Sequence, residues 1–82
     1  MKKTRQGSAR NVVGDRVRKA RLRAQPPISQ EDLAGRLASR GIALDQAALS
    51  RVERGERYVL DYEALALAPC LKVSVAWLFG EA

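Results

Sequence analysis

The chain has 82 residues, 46% of them apolar, and a formal net charge of +6. That length supports one small domain with one modest core, and the apolar content argues against disorder throughout. With no histidine and a single cysteine, Cys70, it lacks histidine general bases, Cys/His zinc sites and any internal disulfide, so neither an enzyme nor a metal or cofactor site is expected.

Charge is distributed unevenly. Nine bases, from Lys2 to Arg23, face only Asp15 in the first part of the chain, whereas acids slightly outnumber bases from Ala24 onward. Such a basic block attracts polyanions, either nucleic acid or an anionic membrane surface, or simply serves as a solubilising surface. No apolar run approaches the ~18 residues of a membrane span, and no charged start leads into an apolar stretch as in a signal peptide, which makes the cytoplasm the expected location.

Residues 1–11 are polar and basic and read as a flexible N-terminal arm; residues 12–82 hold the folded domain. Val13, Val17, Ala20 and Ala24 follow helical spacing and predict a first helix, which Pro26 and Pro27 end. Ser29 is a good N-cap for a second helix, with Asp32 at the third helical position and Ile28 placed to staple onto Leu33. Leu33, Ala34, Leu37 and Ala38 form its apolar stripe, and Gly41 suits its C-terminal stop. Asp45 is placed to cap a third helix running to about Arg54 and closed by Gly55. Asp61 is expected to cap a fourth, with Ala64, Leu65, Ala68 and Leu71 inward, and Ser74 a short fifth containing Val75, Leu78 and Phe79. No segment alternates as a strand would, so the fold class is all-α, with five short helices.

The third helix divides into two faces at ~100° per residue. Ala48, Leu49 and Val52 cluster inward; Gln46, Ala47, Ser50, Arg51 and Arg54 cluster outward, with Glu53 at the boundary. Ala47 and Ser50 are small enough to let the helix approach another surface, and Gln46 and Arg51 carry the side chains that bond adenine and guanine edges bidentately. An ordinary solvated helix also carries glutamine and arginine, and this face alone does not decide between the two.

Four segments in order, "VGDRVRKAR", "ISQEDLAGRL", "ALSRVERGER" and "VSVAWLFG", resemble the Xre-type helix-turn-helix family, the Cro and repressor class of phage and bacterial regulators. The resemblance spans roughly residues 13–80. It implies a compact five-helix, lambda-repressor-like DNA-binding domain whose second and third helices form the helix-turn-helix. It also implies double-stranded DNA as partner and a homodimer on that DNA. By the same resemblance, Gln30 at the start of the second helix matches a phosphate-contacting position. Gln46, Ala47 and Arg51 match positions facing base edges, Ser50 and Arg54 lie beside them, and Arg57 matches a backbone-contacting base after the turn. Arg21 and Glu53 match a pair that links the first and third helices in many members. The function implied is a sequence-specific transcriptional regulator of the phage or mobile-element repressor type. The alternative is an antitoxin that uses the same fold to hold a toxin protein and repress its own operon.

The family pattern is broken in three places. The connection "ASRGIALD" is about five residues longer than the usual tight turn, which suggests that the second helix continues to Arg40 with Ile42 and Leu44 tucked into the core. The first loop is slightly long. Pro69 falls where the fourth helix should still be running, predicting a kink or an early end, and Lys72 stands where the family often has a left-handed glycine. Cys70, flanked by apolar residues, reads as core. Phe79 is expected inward with Trp77 partly exposed, Tyr58 and Tyr62 are expected as packing residues with wet hydroxyls, and the first-helix arginines are either solvated or laid along a phosphate backbone.

Overall fold

A computed structural model describes residues 9–81; most of the arm, residues 1–8, lies outside the described residues. Five helices follow one another: α1 (Gly14–Arg23), α2 (Gln30–Ala38), α3 (Gln46–Glu53), α4 (Asp61–Leu71) and α5 (Val75–Leu78). α2 packs on α3 and α4, while α1 packs on α3, α4 and α5. Their inner faces meet in one core, where Val13, Val17, Leu33, Leu37, Leu44, Leu49, Val52, Leu67 and Leu78 are fully buried. Among the described residues no helix is long and apolar enough to cross a membrane.

The helix starts follow local chemistry. The Ser29 hydroxyl accepts the Asp32 N–H at 2.9 Å, Asp45 Oδ1 accepts the Ala48 N–H at 2.8 Å, and the Ser74 hydroxyl accepts the Trp77 N–H at 2.9 Å; each satisfies a donor the helix itself leaves unpaired. Ile28 and Leu33 are both buried, as a staple requires. α4 differs from expectation. Its N-cap is Leu60, and Asp61 is already the first helical residue. Leucine offers no acceptor, so the start is held from the other side, by Glu63 Oε1 accepting the Leu60 N–H at 2.9 Å.

Four helices close with the same two bonds. Gly41 bonds back to Ala38 and Ile42 to Leu37, Gly55 to Val52 and Glu56 to Arg51, Lys72 to Pro69 and Val73 to Ala68, Gly80 to Trp77 and Glu81 to Ala76. This is the Schellman closure, which needs a left-handed residue at its centre. Three of the four centres are glycines, at φ 79°, 75° and 81°. The fourth is Lys72, at φ 60° and ψ 40°. α4 runs through Pro69 and ends two residues beyond it.

The long connection between α2 and α3 is anchored. Ser39 and Arg40 extend α2 as a turn up to Gly41, Leu44 is buried, and Ile42 packs against the core. Three inward assignments, Ala38, Leu65 and Phe79, are corrected. Ala38 is exposed. Leu65 is 63% exposed, and Leu67 fills the core in its place. The fourth helix is apolar nearly all round, so its periodicity did not single out the buried stripe. Val75 and Phe79 are exposed, whereas Leu78 is fully buried and Trp77 is half-buried; a single turn leaves room for one fully inward side chain. Tyr58 and Tyr62 are exposed rather than packed. Cys70 is buried.

At the front of the domain, the arm's last two residues are bonded to it. The Arg10 N–H donates to the Gly55 carbonyl at 2.8 Å. Asn11 Oδ1 accepts the N–H groups of Val13 and Gly14, and Asn11 Nδ2 donates to the carbonyls of Val52 and Arg57. One side chain thus starts α1 and holds the end of α3. Gly14 completes this junction, because a Cβ there would overlap the Val52 carbonyl.

Candidate nucleic-acid interface

α3 is fixed by burial on one side and leaves the other open. Leu49 and Val52 are fully buried and Ala48 is buried, while Gln46, Ala47, Arg51 and Arg54 are exposed and Ser50 is half-buried. All five residues assigned to the outward face therefore lie on one accessible strip of the helix.

Behind that strip runs a chain of polar contacts. Arg21 Nε donates to Glu53 Oε2 at 2.7 Å and Arg21 Nη2 to Glu53 Oε1 at 2.8 Å, a buried bidentate pair joining α1 to α3. Arg21 Nη1 donates to the Ile28 carbonyl at 3.0 Å, fixing the approach to α2. The hydrogen bonds to Glu53 hold the Arg21 guanidinium above its ordinary pKa, more than offsetting the opposing effect of burial. Glu53 Oε1 also accepts Gln30 Nε2 at 3.1 Å, and Gln30 Oε1 accepts Gln46 Nε2 at 2.8 Å. The polarity of this relay is determined. An ionised carboxylate only accepts, so Gln30 turns its NH2 toward Glu53 and its oxygen toward Gln46. Gln46 then keeps its own oxygen and one N–H for an outside partner, the acceptor–donor couple that matches an adenine edge.

The remaining assigned residues divide by their partners. No described residue bonds the exposed Arg51 guanidinium. Arg54 donates to the Ser50 hydroxyl and pairs with Glu56 at 3.1 Å, with both side chains about half exposed; in water such a pair contributes ~0–1 kcal/mol and yields readily to another anion. Arg57 is held more firmly. It donates to both Glu63 carboxylate oxygens, at 3.0 and 3.4 Å, and to the Tyr58 carbonyl at 2.8 Å, so its charge is shared with a buried acid.

Two residues enter the site that sequence reasoning did not single out. Arg18 lines a shallow depression together with Gln30 and Gln46. It lies three residues before Arg21 on α1, a spacing that puts both on one helix face; that was the available signal. Asn11 falls in the polar arm by composition, yet an asparagine two and three residues before the N–H groups it accepts is itself a capping signal. Among the described residues no group of three His, Cys, Asp or Glu side chains is placed to hold a metal ion.

No family model matches the chain, and no curated protein matches it. Among solved structures it is similar to the P22 c2 repressor in complex with a synthetic operator. The two share 26% identity at a TM-score of 0.67, over 88% of this chain and 98% of that one. The architecture is accordingly the lambda- and Cro-repressor-like helix-turn-helix fold.

Proposed function

We propose that this protein is a sequence-specific, DNA-binding transcriptional regulator of the repressor type, belonging to the Xre-type group and acting as a homodimer that places α3 in the major groove. The observation that carries this reading is the exposed strip of α3, backed by the Arg21–Glu53–Gln30–Gln46 relay. An ordinary solvated helix has no need to orient its first glutamine through a buried ion pair. Support comes from the operator-bound P22 c2 repressor, which aligns along almost its whole length.

In the proposed complex Gln46 reads an adenine edge and Arg51 a guanine edge, with Ala47 and Ser50 letting the helix approach closely. Gln30 meets a phosphate at the start of α2, where free N–H groups and the helix dipole favour an anion. Arg18, Arg54 and Arg57 lie along the backbone on either side, contributing affinity without base choice.

The test is a backbone-amide NMR titration with a duplex of about two helical turns at near-physiological salt. The expected shift changes concentrate on residues 46–57, on the start of α2 and around Arg18. Changes centred instead on the exposed apolar segment 58–65, with α3 silent, would contradict the reading.

A further inference from the structure

A groove of about 750 Å³ opens between the C-terminal end of α1, the loop that follows it, α2 and the α4–α5 junction. Ile28, Leu71, Val73 and the chain's one tryptophan, Trp77, give it an apolar lining. Its size falls in the ~300–1,000 Å³ range of small-molecule sites, and such sites pair apolar walls with a few polar groups. Here the charged groups are mostly cationic: Arg23, Arg36 and Lys72 line the groove against Asp32, with Gln25 and Ser74 as neutral polar groups. Two of the cations are already oriented. Arg36 Nη1 donates to the Cys70 carbonyl at 3.1 Å, and the Arg23 guanidinium lies 5.5 Å from the centre of the Trp77 ring.

Lys72 is the feature that helix closure does not account for. It occupies the same left-handed position that glycine fills at the other three closures, and among the described residues it is the one non-glycine at positive φ. That backbone is unfavourable for lysine relative to glycine. Attraction to the α4 C-terminal dipole does not require it, since a lysine in the last turn itself would gain the same at right-handed φ. A residue kept in a costly conformation at the rim of a groove points to use of its side chain there.

We propose that this groove is a binding site for a small organic anion with a flat apolar body, an aromatic carboxylate being the class that fits. The body lies against Trp77, Ile28 and Val73, and the carboxylate meets Lys72 and Arg36. No residue of α3 lines the groove, so the proposal stands apart from the assignment of α3 to DNA, and its test contains no DNA.

The test uses Trp77 fluorescence in the full chain, titrated with 4-bromobenzoate and, as the neutral control, with 4-bromobenzyl alcohol. Bromine quenches indole on contact, and with one tryptophan the signal comes from the groove itself. The expected result is saturable quenching by the carboxylate, with the alcohol about tenfold weaker, the size of one charge-assisted hydrogen bond. Lys72→Gly should melt no lower than the wild type, because glycine relieves the left-handed backbone, while weakening the carboxylate about tenfold. Quenching that rises linearly and equally for both probes overturns the proposal, as does saturable binding that Lys72→Gly leaves unchanged.

Discussion

Glu53 receives bonds from Arg21 and Gln30 while 8% exposed, and it is the one acid within α3 itself, Glu56 following after Gly55. Its place on the reading helix has a physical reason: the charge is used inward, holding α3 to α1, and so does not repel an anion on the outer strip. Removing one partner of a buried, hydrogen-bonded pair leaves the other charge unpaired, at a cost of about 3 kcal/mol. Glu53→Ala is therefore expected to lower stability by that amount, read as a fall in the denaturant midpoint at constant slope. Glu53→Gln, which keeps the shape and loses the charge, should lower both melting temperature and DNA affinity; no change in either would remove the linking role. The pair is also secure against pH on the basic side. Arg21 is raised above its ordinary value, so its contribution is full below the unfolded arginine pKa and is lost only as pH rises through the still higher folded one.

At the scale of elements, junctions decide more than helix propensity does. α3 is eight residues long, too short to persist alone, and it is held by Asp45 at its start and by Gly55 and Asn11 at its end. Asn11 makes four hydrogen bonds that tie the first turn of α1 to the carbonyls of Val52 and Arg57. Asn11→Ala removes a cap and two long-range bonds together, and a loss of about 2 kcal/mol is expected in chemical denaturation. A loss within a few tenths would mean that these bonds are replaced by water at no cost. Caps of this kind are the part of the fold most legible in the chain, because Ser29, Asp45, Ser74, Gly41 and Gly55 each act through a neighbouring backbone group. The buried stripe of α4 was not legible. Ala64, Leu65, Leu67, Ala68 and Leu71 satisfy more than one helical face, and only packing against α1, α2 and α5 selects Leu67 over Leu65. Leu60 as an N-cap was also hidden, since the acceptor that replaces its missing oxygen comes from Glu63.

At the scale of the molecule, the candidate site is legible as a strip and hidden as a network. Helical periodicity alone places Gln46, Ala47, Ser50, Arg51 and Arg54 on one face. That Gln30 couples Gln46 to Glu53 depends on how α2 docks on α3 across a seven-residue connection, and no local spacing encodes it. Buried Leu44 and the partly buried Ile42 show how the extra length is absorbed: it is folded into the core and does not push the helices apart. The proposed roles separate by salt and sequence. Arg51→Ala should weaken the preferred duplex by ~1–3 kcal/mol and relax one base pair, leaving random DNA nearly unaffected. Arg57→Ala should weaken all duplexes alike and make the salt dependence shallower by up to about one unit of slope, the sharing of its charge with Glu63 reducing the effect. Equal losses on preferred and random DNA in both variants would contradict the division between base reading and backbone contact.

The most direct measurement is selection of bound duplexes from a random-sequence pool at near-physiological salt. If α3 reads bases from a symmetric dimer, the pool converges on a palindrome whose half-sites lie about one helical turn, ~34 Å, apart, and Gln46→Ala changes the preferred base at one position in each half-site. A pool that converges on no motif, while the protein still binds DNA in bulk, would contradict base reading by α3.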